Sequence, residues 1–337
     1  MSAMLLHKEK WSEFTGKLSG KNLWAPAVQG EMKKFARVAE GQTVHLDEDN
    51  TTVPPKALVF PQTETLCRFS LGQTDLELPG LDEEMVLLGV RPCDARAMAL
   101  VEKLFRWDFE DPYYLERRER TTLIGLACNE PDLNCFCSSV GGGPASPEGL
   151  DILMSDLGES YLLEEITEKG KALVEEFKDL LEEAPADAVK QKEQLVEDAV
   201  AKIKWNVDPE GIPEALPQLW EDPLWEKVSA ACLGCGICTY LCPTCHCFDI
   251  QDEVEGPAGR RCRMWDSCMF AEYTKHTSGH NPRPTRRERT RNRINHKYSY
   301  FVDKFGVIAC VGCGRCSNLC PVNIDLIDIL RQVKAAR

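Results

Sequence analysis

An α+β chain in three parts is predicted by the sequence: an N-terminal α/β domain over residues 1–160, an acidic helical connector over 161–220, and a cysteine-rich C-terminal domain over 221–337. Three observations predict it. Strand-length apolar runs flank a helical pattern in the first part, a charged stretch of helical periodicity follows, and a 13-residue segment recurs near the end. At roughly 100–200 residues per domain, a length of 337 fits two or three domains. Apolar residues make up 43% of the chain, enough for a sizeable core.

In the first part, Met85-Val-Leu-Leu-Gly-Val90 is an apolar run of strand length, followed by the turn Arg91-Pro-Cys-Asp94. Asp94 is suited to cap a helix from Ala95 to Phe105, with Ala97, Leu100, Val101 and Leu104 on one face. Thr121 to Ala127 reads as a second buried strand running straight into Cys128. Strand, helix and strand of these lengths predict a right-handed βαβ unit.

From Glu159 to Val200 there are 13 Asp/Glu against 5 Lys, with Leu173, Val174, Phe177, Leu180 and Leu181 at helical spacing and Pro185 as a break. This reads as a solvated helical connector or hairpin, its acidic residues an ordinary charged face. Pro213, Pro217 and Pro223 then mark a boundary.

Beyond it, Ala231-Cys-Leu-Gly-Cys-Gly-Ile-Cys-Thr-Tyr-Leu-Cys-Pro243 aligns with Ala309-Cys-Val-Gly-Cys-Gly-Arg-Cys-Ser-Asn-Leu-Cys-Pro321, nine of 13 positions being identical. Each copy has three cysteines two residues apart and a fourth followed by proline. That is the ligand run of two-cluster ferredoxins, in which the fourth cysteine serves the other cube. Cluster I is therefore expected on Cys232, Cys235, Cys238 and Cys320, and cluster II on Cys310, Cys313, Cys316 and Cys242. The C-terminal part reads as a bacterial ferredoxin-like domain with two [4Fe–4S] clusters and a long insertion, 244–308. Zinc is the competing metal for C-x-x-C pairs, but it needs neither the third cysteine nor the proline.

Four more cysteines point to a third [4Fe–4S] cluster: Cys93, Cys128, Cys135 and Cys137. Cys93 and Cys128 follow the two strands of the βαβ unit, so parallel strands bring them to one carboxyl edge, where α/β folds bind ligands. Cys135 and Cys137 lie in the next loop. The bland alternative is a set of buried cysteines acting as small apolar side chains. Cys245, Cys247, Cys262 and Cys268 form a further group, read either as packing around the clusters or as another metal site. His246 beside them fits a hydrogen-bonding role near a metal better than ligation. Cys67 stands alone and is assigned no role.

Seventeen cysteines in C-x-x-C runs are an odd count and a poor disulfide framework. The N-terminus has no secretory apolar region, and no apolar stretch approaches 18 residues, so a cytoplasmic protein with no membrane span is expected. A net charge of -14 argues against general nucleic-acid binding and against an anionic membrane surface. Residues 260–300 reverse that sign locally, with 11 Lys/Arg against 3 Asp/Glu. Arg283, Arg286, Arg287, Arg289, Arg291 and Arg293 are read there as docking a partner subunit, against an internal pairing role. No G-x-G-x-x-G follows a strand, Gly141-Gly-Gly143-Pro144 is an ordinary turn, and no nucleophile–base pair stands out, so no catalytic residue is assigned.

Several segments carry a family resemblance: Val90-Arg-Pro-Cys-Asp94, Ala127-Cys-Asn-Glu-Pro131, Asn134-Cys-Phe-Cys137, Cys242-Pro-Thr-Cys-His-Cys-Phe248, Trp265-Asp-Ser-Cys268, Gly279-His-Asn-Pro-Arg283 and the two cluster runs. With them the chain resembles the beta subunit of cytoplasmic sulfhydrogenases, the corresponding iron–sulfur subunit of anaerobic sulfite reductase, and the iron–sulfur subunit of flavin oxidoreductases that work with heterodisulfide reductase. The resemblance implies an electron relay in an anaerobic, multisubunit, NAD(P)H-linked oxidoreductase. Electrons would pass between a subunit holding flavin (FAD) and a terminal unit: a hydrogenase, a sulfite reductase or a heterodisulfide reductase. Two other readings stay open: an iron–sulfur enzyme with its own substrate site in the N-terminal domain, where Asp94 stands beside Cys93, and a zinc protein using the basic insertion on nucleic acid.

Overall fold

A computed structural model describes residues 3–47, 49–80 and 83–336. Its strands, in chain order, are β1 (Ala3–His7), β2 (Leu23–Gln29), β3 (Met32–Arg37), β4 (Thr63–Ser70), β5 (Leu76–Glu77), β6 (Met85–Val90), β7 (Thr121–Leu126), β8 (Ile152–Asp156), β9 (Ser160–Glu165), β10 (Glu182–Glu183), β11 (Phe248–Glu255) and β12 (Ala258–Trp265). Eight of them form one sheet in the order β10-β1-β9-β8-β7-β6-β2-β3. Its centre, β2-β6-β7-β8, is parallel, and antiparallel strands flank it.

The centre is parallel because its strands are apolar throughout. Every residue of β6 is buried, as a strand covered on both faces requires. Side chains alternate between faces. Val86, Leu88, Ile124 and Ile152 enter one core with Phe14, Leu18 and Phe177, while Leu87, Leu123 and Leu153 enter the other with Met98, Val101, Phe105 and Tyr114.

The βαβ unit forms as expected, with β6 and β7 parallel. Its helix, however, starts at Pro92 and runs to Phe105, with Arg91 as N-cap. Proline is favoured in the first helical position because its missing N–H is unpaired there anyway. Asp94 is therefore not the cap. It lies inside the first turn, 1% exposed.

The acidic segment also departs from the expected connector. It opens on a strand, β9, paired antiparallel to β1 and β8, and only then turns helical at Glu168–Glu176 and Ala186–Lys202. Its periodic Leu173, Val174, Phe177, Leu180 and Leu181 complete one core of the large sheet. The abundance of Glu masked the strand, in which the buried Tyr161, Leu162 and Leu163 run straight into the half-buried Glu164 and Glu165.

The insertion builds half of a second sheet, β11-β12-β4-β5, with strands from the N-terminal part completing it. Trp265 at the end of β12 packs on Phe60 in the second core of the large sheet and donates from its indole N–H to the Phe60 carbonyl at 3.1 Å. A third core gathers Ile212, Leu216, Trp225, Ile294, Tyr298 and Leu330, and receives Phe136 and Val140 from the loop after β7.

Candidate metal centres

In the C-terminal repeat, Gly236 and Gly314 each adopt positive φ and open a short helix, Ile237–Tyr240 and Arg315–Asn318. A Cβ on Gly236 would stand 2.7 Å from the Phe270 ring, so glycine is needed for space as well as for backbone. Cys232, Cys235, Cys238 and Cys320, the set expected for cluster I, line one cavity. Met269, Ile324, Leu326 and Ile329 supply its apolar walls. Backbone N–H groups already point at sulfur: Gly234 donates to Cys232 Sγ at 3.4 Å and Ile324 to Cys320 Sγ at 3.2 Å. Cys235 is exposed, so this cavity reaches the surface.

The set expected for cluster II also comes together. The charge of Cys242 bears on Cys310 and Cys313, and Tyr298 lies against Cys310 and Cys316. Cys316 lines the first cavity as well, so the two sets share a wall.

Buried cations close around these thiols. Lys297 Nζ lies 3.3 Å from Cys242 Sγ and donates to Thr244 Oγ1 at 2.8 Å and to the Ala309 carbonyl at 3.2 Å. Burial works against its charge, but the neighbouring thiolates, Cys242 first, outweigh burial and hold its pKa above the ordinary lysine value. Arg293 behaves likewise, beside Cys238 and Cys316. Lys56 donates to the Cys245 carbonyl at 2.9 Å and sits 4.2 Å from the centre of the Trp265 ring, its pKa lowered by burial.

Do these residues fit a cube? Arg293 Nε and Thr290 Oγ1 are buried donors with no hydrogen-bond partner among the described residues, and both residues line the first cavity. Unpaired buried donors are costly, and inorganic sulfide in the cavity would satisfy them. No three His, Cys, Asp or Glu side chains among the described residues converge tightly enough for a single metal ion. A four-iron cube holds each thiolate on a different iron, so its ligands stand wider apart.

The N-terminal thiols converge as the parallel strands require. Cys93 lies in the first turn after β6, Cys128 follows β7, and the next loop brings Cys135 and Cys137. All four line one cavity of about 380 Å³ with Asp49, Asn50, Arg91, Gly312 and Cys313. Burial raises the thiols of Cys93, Cys137 and Cys135, the last two to about 11 and about 12, so bound metal must displace protons.

Cys313 belongs to the C-terminal repeat, and the two regions lock together beside it. Phe136 N–H donates to the Gly312 carbonyl at 2.8 Å, and a Cβ on Gly312 would stand 2.6 Å from Cys137 N. Arg315 forks onto Asp94 at 2.6 and 2.8 Å and donates to the Thr51 carbonyl at 2.7 Å, with both charges buried. Asp94, the acid beside Cys93 in the alternative reading of a substrate site, is thus committed to an ion pair.

The fourth group is partly brought together. The Cys242 and Cys245 side chains touch, and so do those of Cys247 and Cys268. Cys262 is not with them. It is fully buried in β12, opposite Gln251 and Thr65. Cys67, on β4, pairs opposite Arg261. His246 donates from Nδ1 to the Thr244 carbonyl at 3.0 Å, and burial holds the ring neutral, down to about 3.

The arginines expected to dock a partner mostly point inward. Arg286 donates to the Cys232 carbonyl at 2.6 Å, Arg287 pairs with Glu221 at 2.8 Å, and Arg289 donates to the Pro284 carbonyl at 2.9 Å. Arg291 stacks 3.8 Å over Trp220 and donates to its carbonyl, while Arg293 reaches the Cys238 carbonyl at 3.3 Å. The sequence shows the density of positive charge, and the fold ties much of it to carbonyls and a carboxylate of the same part of the chain, the internal pairing that stood as the alternative to docking.

Residues 231–324 match the family described as a 4Fe-4S dicluster domain. Over 336 residues, 99% of this chain and 99% of the relative, the sequence is 31% identical to the Sulfhydrogenase 2 subunit beta of Pyrococcus furiosus. The chain belongs to the sulfhydrogenase beta-subunit family. No solved structure matches it. As a member of this family with a dicluster domain, it is an iron–sulfur electron-transfer protein carrying [4Fe–4S] clusters. No described helix is long and apolar enough to cross a membrane.

Four residues of the beta-subunit site had no legible signal: Lys56, Lys297, Tyr298 and Arg315. Their roles depend on contacts across the chain, and a lysine or arginine in sequence says nothing of burial.

Proposed function

We propose that the chain is a three-cluster relay within a multisubunit oxidoreductase, passing electrons between a flavin subunit that oxidises NAD(P)H and a terminal reductase or hydrogenase. The observation that carries this reading is the adjacency of the thiol sets. Cys313 walls the N-terminal cavity and Cys316 walls the cluster I cavity, while both belong to the set between them. Cys93, Cys128, Cys135 and Cys137 hold the third cluster, Cys310, Cys313, Cys316 and Cys242 the second, and Cys232, Cys235, Cys238 and Cys320 the first. Bound clusters supply one-electron redox chemistry. The protein's own contribution is spacing, exclusion of water and cationic compensation by Lys297 and Arg293. In this reading the dicluster part opens after Pro223, while residues 160–183 stay with the N-terminal sheet whose core they complete.

A second reading, a substrate site in the N-terminal cavity, draws on that cavity's size of about 380 Å³. Both are tested together. The isolated iron-loaded chain should not oxidise NADH, and should become reduced only when a flavin subunit is added. NADH-dependent dye reduction by the chain alone would overturn the relay.

A further inference from the structure

Cys247 and Cys268 belong to no cluster set, yet the fold brings them together. Cys247 immediately precedes β11, and Cys268 follows β12 by three residues. The two strands pair antiparallel with Phe248 opposite Trp265, and Asp266 N–H donates to the Cys247 carbonyl at 3.0 Å, so the register delivers both cysteines to one end of the hairpin. There the two thiols are hydrogen-bonded to each other. They share one buried apolar cluster with Cys232 and Cys238, of the cluster I set, and with Met269, Tyr273 and Ile324. Tyr273, half-buried, places its hydroxyl on Cys247.

Thiols in mutual contact stand too close to sit on separate irons of one cube, and among the described residues no third metal-binding side chain joins them tightly enough for a single ion. Contact is the geometry from which a disulfide closes, to an S–S bond of about 2.05 Å. We propose that Cys247 and Cys268 form a redox-active dithiol/disulfide pair that exchanges electrons with the neighbouring iron–sulfur clusters. In the oxidising direction the two S–H bonds break and one S–S bond forms. Two electrons leave one at a time to two oxidised [4Fe–4S] clusters, which are the oxidant, and two protons leave, the nearer by the Tyr273 hydroxyl. The reverse needs two reduced clusters and two protons. The pair thus stores the two electrons that a flavin delivers, beside carriers that take one each.

The inference rests on the relay reading only for the destination of the electrons, and its deciding readout, the cross-linked peptide of the wild-type chain, is separate from the saturating iron count that decides the relay.

The experiment poises the anaerobic, iron-loaded full chain at a series of potentials with redox mediators, quenches it into denaturant with N-ethylmaleimide, and maps peptides by mass. The expected result is a Cys247–Cys268 cross-linked peptide that rises from near zero to most of the chains in a two-electron transition and disappears on dithionite reduction. Cys268→Ser should abolish it with iron content unchanged. Both cysteines alkylated at every potential would overturn the proposal, and so would a loss of about four iron per chain in Cys268→Ser, which would make the pair cluster ligands. If that variant does not fold, the wild-type mapping decides alone.

Discussion

Cys232, Cys235 and Cys238 lie within seven residues of one another, whereas the N-terminal cavity draws Cys93, Cys128, Cys135 and Cys137 from the ends of two strands and the loop beyond. The first set is written in spacing and needs only a glycine-rich loop. The second exists only because β6 and β7 are parallel and end side by side. Local ligand sets are therefore readable as motifs, while distributed ones are readable only through topology. The two regions also differ in charge compensation. Buried Lys297 and Arg293 face the C-terminal thiols, and the N-terminal cavity sets one arginine, Arg91, against Asp49, Glu130 and Asp132 among its lining residues.

The largest expected effect separates the regions by iron. Cys93→Ser should remove about four iron per chain while the dicluster part keeps its own, read by iron assay and by the surviving cluster signals in EPR. A loss spread across all clusters would mean the two regions are not independent sites.

Next is the tie between them. Arg315→Met leaves Asp94 buried without its partner, and breaking such a pair costs about 3–5 kcal/mol. Denaturant unfolding should show that loss. A change below about 1 kcal/mol would mean water reaches Asp94 and the regions are held by backbone contacts such as Phe136 to Gly312.

A smaller effect follows from two buried histidines. Burial holds His246 down to about 3 and His296 to about 4. The unfolded chain takes up these protons near pH 6.5, so the folded state is at full strength above that and weakens as pH falls toward 4. At pH 5 the cost is about 2 kcal/mol for each ring. Replacing both with Gln should flatten the fall in melting temperature between pH 7 and pH 5, and an unchanged slope would assign the acid sensitivity elsewhere.

The smallest effect concerns cluster tuning. Lys297→Met removes a buried positive charge 3.3 Å from Cys242 Sγ. One C-terminal cluster should become harder to reduce, with iron content kept, because reduction adds negative charge that the lysine offsets. Redox titration followed by EPR checks it, and unmoved potentials would limit Lys297 to its bonds with Thr244 and Ala309.

Much of the fold was legible where one local rule dominated. The six buried residues of β6 could be little else, and the repeat placed Gly236 and Gly314 before their short helices. Legibility failed where two local signals competed. Asp94 has the chemistry of a cap, but Pro92 starts the helix two residues earlier and leaves the aspartate to Arg315, which lies far along the chain. Cys262 stands near Cys268 in sequence and reads as one group with it. Strand pairing turns Cys262 into the second sheet and leaves Cys268 beyond its end. The basic segment misled because charge density is visible in sequence and burial is not. Arg289, Arg291 and Arg293 are buried and hold carbonyls.

The most direct test of the relay is iron and acid-labile sulfide per chain in anaerobically reconstituted protein. Three sets of four thiols predict saturation at about twelve of each. Saturation at about eight, with Cys93, Cys128, Cys135 and Cys137 all free to alkylate, would contradict it.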